Sequence, residues 1–241
     1  MKTALMFLLT AATVLMSSTA TADEISTSAG PVTITPIQHA SFTLSAAGNT
    51  IYIDPTPAKL FTAKPKADLI LITDIHGDHM DPETVRALSK SGTKVIAPAA
   101  VAKTITQAEV LNNGETTHWN DWTLEAVPMY NEKRGPKPGQ LFHTKGRGNG
   151  YVLTYGGKRF YISGDTEGIP EMRQLRNIDV AFVCMNLPYT MPVEEAADAV
   201  KAFHPKIVYP YHYRGQDTSK FAQLLNGTGI DVRLRDWYAQ S

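Results

Sequence analysis

Four consecutive apolar residues, Leu69-Ile70-Leu71-Ile72, run without alternation into Thr73-Asp74-Ile75-His76-Gly77-Asp78-His79, and Asp81-Pro82-Glu83 follows. An unalternating apolar run is expected of a strand covered on both faces, as parallel strands are when helices pack over their sheet. Asp81 is a favourable helix N-cap and Pro82 suits a first helical position, so a helix is predicted from about Pro82 to Lys90. The loop between strand and helix then carries Asp74, His76, Asp78 and His79. An extended Asp74-Ile75-His76 segment turns its outer two side chains to one side, and a sharp turn at Gly77 can bring Asp78 and His79 to a second point nearby. Two adjacent metal positions become feasible. Imidazole with carboxylate suits zinc and similar divalent ions, and ions about 3.5–4 Å apart can orient a hydroxide and polarise the bond it attacks. An acidic loop that only caps a helix is the plainer alternative, but Asp81 already supplies the cap.

The rest of the chain predicts more strands and helices in mixed order. Residues 32–37 and 41–46 alternate as strands, Gly48-Asn49 marks a hairpin turn, and Ile51-Tyr52-Ile53 leads into Asp54-Pro55. Val95 to Ala97 is a short strand, Ala99 to Glu109 is predicted helical, and Trp122 to Val127 returns to strand. Tyr151 to Tyr155 and Arg159 to Ile162 flank Gly156-Gly157 as a second hairpin, Val180 to Cys184 and Ile207 to Tyr211 are buried-strand candidates, and Val193 to Phe203 is a helix between them. This order suits an α/β domain of two mixed sheets packed together and flanked by helices. Residues 131–150, rich in Gly and Pro, are long enough for a functional loop.

Composition narrows the function classes. With 23 basic and 23 acidic residues the chain has no cationic excess for coating nucleic acid, so no nucleic-acid partner is expected. One cysteine excludes an intrachain disulfide framework and a multi-thiolate zinc site, and Cys184 in its apolar run reads as a small core residue. No Gly-x-Ser-x-Gly elbow is present. At the amino terminus, Lys2, the apolar run Ala4 to Met16 and Ala20-Thr21-Ala22 form a secretory signal pattern with cleavage after Ala22. The run is shorter than the roughly 20 residues that span a bilayer. Residues 1–22 are therefore expected to be a signal peptide, residues 23–241 a single domain without stable membrane insertion, and the location periplasmic or secreted.

The loop sequence resembles the metallo-β-lactamase-fold hydrolase superfamily, whose motif is His-x-His-x-Asp-His after a buried strand. Gln38 to Phe42 with Ile53-Asp54-Pro55, then Ser163-Gly164-Asp165-Thr166, and Tyr209 to Tyr213 look like the branch containing ascorbate phosphate lactonases and N-acylphosphatidylethanolamine phospholipase D. The resemblance covers about Val32 to Tyr213. It implies an αββα sandwich, with Asp165 bridging two metals, His212 completing the second position beside Asp78 and His79, and His76 in the first. It also implies that His39 and Asp54 orient ligands, although both could simply satisfy turn hydrogen bonds.

The chain departs from that pattern twice. A histidine usual just after the strand at Leu124 to Met129 is replaced by Tyr130-Asn131, and we nominate His143 as its substitute. Asp74 stands in the first motif place. Asp74, Asp78 and Asp165 against two divalent ions leave a charge of about plus one, which lets manganese or iron compete with zinc. The expected reaction is hydrolysis by a metal-bridging hydroxide, with Asp78 and Asp165 as the catalytic carboxylates. The 131–150 loop carries Lys133, Arg134, Lys137, Lys145 and Arg147 against Glu132, a charge excess suited to an anionic small molecule such as a phosphoester or carboxylate, and the expected substrate is a phosphoester or a lactone. Lys133, Arg134, Lys145 and, from the 186–191 segment, Tyr189 are the substrate-contact candidates, with Thr190 beside it. His118 and His204 read as structural or exposed. The rival reading is a secreted metal- or ligand-binding protein in which Asp74 has abolished turnover.

Overall fold

The computed structural model describes residues 22–238, and the expected signal peptide lies, all but Ala22, outside them. No helix among the described residues is long and apolar enough to cross a membrane. The chain forms two seven-stranded sheets, each with its strands in sequential order. The first contains β1 (Asp23–Ile25), β2 (Val32–Gln38), β3 (Ser41–Ala46), β4 (Asn49–Ile53), β5 (Leu69–Leu71), β6 (Lys94–Ala97) and β7 (Glu109–Val110). The second contains β8 (Thr116–Trp119), β9 (Trp122–Met129), β10 (Gly148–Tyr155), β11 (Lys158–Ile162), β12 (Val180–Cys184), β13 (Ile207–Tyr211) and β14 (Asp231–Val232). Both follow one plan, with four antiparallel strands and then three parallel ones reached by crossovers.

Side-chain pattern explains the layers. β2 alternates, whereas every residue of β5 and β12 is buried, as parallel strands covered on both faces require. Phe42 stacks on Phe182 between the sheets at 4.3 Å, and Trp237, fully buried, meets both rings edge-on. A second apolar layer packs Ile70, Ile72, Val85 and Leu88 between the first sheet and helix α1 (Pro82–Leu88). On the far side, after the single turn α3 (Pro170–Arg173), α4 (Val193–Phe203) sets Phe203 against Tyr161 of the second sheet. The result is the expected α/β/β/α sandwich.

Two boundaries differ from the sequence reading. The helix expected over Ala99 to Glu109 is a single turn, α2 (Ala99–Ala102), followed by turns and then β7, which pairs parallel to β6. Thr104, Ile105 and Thr106 are β-branched and weak helix formers, and burying Ile105 in the outer layer draws the chain away from the helical path. The second difference is that the long loop ends at Arg147, because Gly148, Asn149 and Gly150 already belong to β10. A Cβ on Gly148 would meet the Thr73 carbonyl at 2.8 Å and Met129 at 2.6 Å, so glycine allows this strand to lie against the ligand loop.

Candidate metal centre

The parallel strand ends of both sheets deliver the ligand residues to one edge of the sandwich. The 73–79 loop leaves β5, Asp165 lies three residues beyond β11, and His212 directly follows β13. The 73–74 backbone is tied to the second sheet by the Asn149 N–H, which donates to the Thr73 carbonyl at 2.9 Å. Three of the residues that shape the centre, His39, Asp54 and His212, have φ of 55°, 43° and 49°, in the left-handed region that L-residues avoid. They stay there because surrounding bonds over-determine the backbone. His39 donates its N–H to the Trp237 carbonyl at 2.9 Å, and His212 donates its own to the His39 carbonyl at 3.1 Å.

Asp165 is the hinge of the geometry. Its Oδ1 lies 3.4 Å from His212 Nδ1, while Oδ2 lies 3.4 Å from His79 Nε2 and 3.2 Å from His143 Nε2. His79, Asp165 and His212 therefore form one group able to hold an ion, and Asp74, His76 and His143 form another. His143 is thus brought from its loop to the side of Asp165 and Asp74. Asp78 sits at the rim, 43% exposed, with Oδ2 at 3.1 Å from His39 Nε2 and 3.3 Å from His212 Nε2 and Oδ1 at 3.9 Å from His79 Nε2. His39, Asp78 and His212 make a third grouping with ligand spacing, so His39 stands closer to the ligand set than an outer support.

The donor set fits divalent ions. His79 Nε2, His143 Nε2, His212 Nδ1 and Asp165 Oδ1 are buried and have no hydrogen-bond partner, although all four face the same centre. Buried polar atoms are normally satisfied, and orphans converging from four separate stretches of chain are what a metal position looks like without its ion. Each histidine is aimed by its other nitrogen. Asp54 accepts from the Thr73 N–H at 2.7 Å and the Thr73 hydroxyl at 2.6 Å, and its Oδ2 lies 2.8 Å from His79 Nδ1. His143 Nδ1 lies 2.6 Å from Asn131 Oδ1, while Asn131 Nδ2 donates to Glu167 at 3.1 Å. Glu167 also accepts the backbone N–H groups of Glu132, Lys133 and Arg134, so one buried carboxylate pins the start of the long loop.

Charge in the ion-free centre follows from these contacts. Burial opposes ionisation of Asp165, yet His212, His79 and His143 outweigh it and hold its pKa well below the ordinary carboxylate range. The same balance depresses Asp78, where burial is overcome by His212 and His39. Burial disfavours charge on His79, but Asp165 and Asp54 raise its pKa well above the usual imidazole value. Asp54, fully enclosed, is pushed upward by burial in spite of its bonds. For His39 burial wins over the Asp78 contact and lowers the pKa to about 4. Burial also works against ionised Asp74, but His76, His79 and Arg147 prevail and lower its pKa.

Two adjoining hollows open at this centre. One, of about 350 Å³, includes His76, Asp165, Phe142, Tyr189 and Arg214; the other, of about 300 Å³, includes His39, Thr56, Lys59 and Arg214; Asp78 belongs to both. Of the four residues named for substrate contact, Tyr189 lines the first hollow. Lys133, Arg134 and Lys145 line neither, because the fold gives Arg134 to Glu167 and Glu195 and Lys145 to Glu171, and leaves Lys133 in a separate surface hollow of its own loop. Arg147, also in the loop, forks onto Asp74. Sequence reasoning passed over Asn131, Glu167, Arg214 and Tyr238. Asn131 did carry a signal, standing where the resemblance expects a histidine. Tyr238 had none, since its hydroxyl reaches His39 Nδ1 at 2.6 Å from 199 residues away. Cys184 is buried in its strand, His118 reaches Thr123 at the surface, and His204 ends α4 in the left-handed region with its ring on the Thr228 carbonyl.

Comparison with known proteins agrees with this geometry. The beta-lactamase superfamily domain matches residues 33–212. A UPF0173 metal-dependent hydrolase of Thermus thermophilus is 31% identical over 209 residues, 80% of this chain and 91% of the relative. A Parabacteroides distasonis protein described as a metal-dependent hydrolase superposes with a TM-score of 0.84 at 44% identity, over 90% of this chain and 98% of the other. A metallo hydrolase of Ignicoccus hospitalis, at 24% identity and TM-score 0.70 over 84% and 94% of the two chains, shares the fold. This chain belongs to the beta-lactamase superfamily of metal-dependent hydrolases.

Proposed function

We propose that the protein is an exported hydrolase of a small anionic phosphoester or lactone, and that it works with two divalent ions, zinc foremost and manganese or iron as alternatives. The observation that carries this reading is the set of buried ligand atoms without a hydrogen-bond partner on His79, His143, His212 and Asp165 around one point. When bound, the ions would acidify a water for attack and take up negative charge on the substrate. His79, Asp165 and His212 would hold one ion, Asp74, His76 and His143 the other, with the Asp165 carboxylate between them. Asp54 and Asn131 keep His79 and His143 turned inward. Asp165 inside the cleft and Asp78 at its rim, both held ionised, provide acceptors that orient a water's protons. Phe142 and Tyr189, packed edge-on at 5.0 Å, offer an apolar wall, and Arg214 at the junction of the two hollows offers a cation to a substrate anion. Export rests on the amino-terminal sequence pattern.

Metal analysis of purified protein followed by a panel of phosphodiesters, phosphate monoesters and lactones tests the proposal. Two ions per chain and turnover that chelation abolishes and metal restores are expected. Failure to bind any divalent ion would defeat the reading, and bound ions with no turnover of any class would favour a binding protein instead.

A further inference from the structure

Asp74 is fully buried and its carboxylate serves two masters. Oδ2 lies 2.8 Å from His76 Nδ1 and 3.8 Å from His143 Nε2, the side turned to the first ligand group. The Arg147 guanidinium approaches the same carboxylate as a fork, Nε on Oδ1 at 3.2 Å and Nη2 on Oδ2 at 3.0 Å. The placement is built into the backbone. Gly148 allows the start of β10 to lie against Thr73, the Asn149 N–H bonds the Thr73 carbonyl, and Arg147 is thereby delivered beside Asp74.

We infer that Arg147 is an internal counter-cation that makes the Asp74/His76/His143 position the weaker of the two, so that this position takes up its ion last and releases it first. The inference rests on the metal reading above. A buried carboxylate needs one compensating cation, and here Arg147 supplies it before any ion arrives, so an incoming dication gains less from Asp74 and meets a positive group as well. With Arg147 counted, the net charge of about plus one expected from three carboxylates and two ions returns to about plus two. Among the described residues no Lys or Arg pairs with Asp165, the carboxylate of the second position. His79, Asp165 and His212 are all buried and three of their ligand atoms lack a hydrogen-bond partner, whereas the His76 side chain is 42% exposed. Arg147 is a positioning residue, acting through Asp74.

The test is Arg147→Met and Arg147→Lys in the full protein, with zinc affinities from competition with a chromophoric chelator and melting temperatures with and without zinc. Wild type is expected to bind two ions with affinities at least about tenfold apart. Arg147→Met takes the guanidinium from the buried Asp74 and leaves it the His76 ring, a loss that an ion makes good only in the loaded state. Its metal-free melting temperature should fall by about 5 °C or more, its zinc-loaded value by less than half as much, and the weaker ion should bind about tenfold more tightly. Arg147→Lys, which keeps a charge and loses the fork, should fall between. Asp74→His should weaken the first ion, and Arg147→Met added to it should restore binding, because the guanidinium would otherwise face the ion without a carboxylate; should Asp74→His not fold, the Arg147 variants decide alone. Equal destabilisation with and without zinc, or a weaker first ion in Arg147→Met, would overturn the inference. Two ions of equal affinity in the wild type would overturn it while leaving the metal reading intact, and no bound ion at all would remove both.

Discussion

His79, Asp165 and His212 stand at strand ends and on a helix-capped loop, all buried, with Asp54 fixing one ring and the His39 carbonyl fixing the backbone of another. Asp74, His76 and His143 are assembled differently. His76 is half exposed, His143 comes from the long loop and is held by an Asn131–Glu167 chain, and Asp74 is already engaged by Arg147. The two groups share Asp165 and are nearly equal in ligand number, so their difference lies in support. A position on strand ends inherits the rigidity of the sheet, whereas one that depends on a loop inherits only what its anchoring bonds supply. The comparison teaches that two adjoining ligand groups can differ in rigidity without any difference in ligand chemistry large enough to reveal it.

The largest effect that could break this contrast is at the shared residue. Asp165→Asn should release both ions together and lower turnover by about a thousandfold, measured by metal content and steady-state kinetics. Loss of a single ion would show that the halves do not depend on a common carboxylate. Asp54→Asn acts on the rigid half only and should weaken the tighter ion by about ten- to a hundredfold in chelator competition while sparing the looser one. Asn131→Ala should do the converse, weakening the looser ion by about tenfold and loosening the 131–134 segment in hydrogen exchange.

A pH experiment probes the support of the rigid half. The folded pKa of His39 is depressed to about 4, below the unfolded value of 6.5, so the neutral ring contributes stability that is present above pH 6.5 and is lost as pH falls toward 4. The loss in ion-free protein should approach about 3 kcal/mol in denaturant titrations, and His39→Asn should remove that part of the pH dependence. His79 runs the other way. Its raised pKa contributes stability below pH 6.5 that fades as pH rises through the higher folded value. The smallest effect is expected at the loop surface. Lys145 pairs with Glu171 and lies over the Tyr130 ring, so Lys145→Gln should change KM for an anionic substrate by less than about threefold. A larger rise would return this lysine to the substrate path.

Much of the centre was legible in the chain because its chemistry is local. Asp74, His76, Asp78 and His79 sit in one short loop between a strand and a capped helix, and the Asp81 side chain accepts from the Glu83 N–H as the spacing requires. The helix Val193–Phe203 has the bounds its periodicity predicted. The stretch after Ala102 leaves the helix its pattern predicts because the burial of Ile105 in the outer layer is a tertiary demand. The basic loop was misjudged for a related reason. Charge counted along the sequence shows five cations against one acid, but Glu167, Glu171 and Asp74 reach three of those cations from other elements.

Sequence alone determined the alternation and the unalternating runs, hence the layered sheets, and the composition of the ligand loop, since covalent spacing dictates which side chains can share a point. Only the tertiary structure decided that Asn131 would aim His143, that Arg147 would settle on Asp74, and that Arg214 rather than the loop lysines would stand at the hollows. Those outcomes depend on two sheets meeting at one edge with Gly148 pressed against Thr73, and such long-range registers are set by packing, which no short window of residues contains.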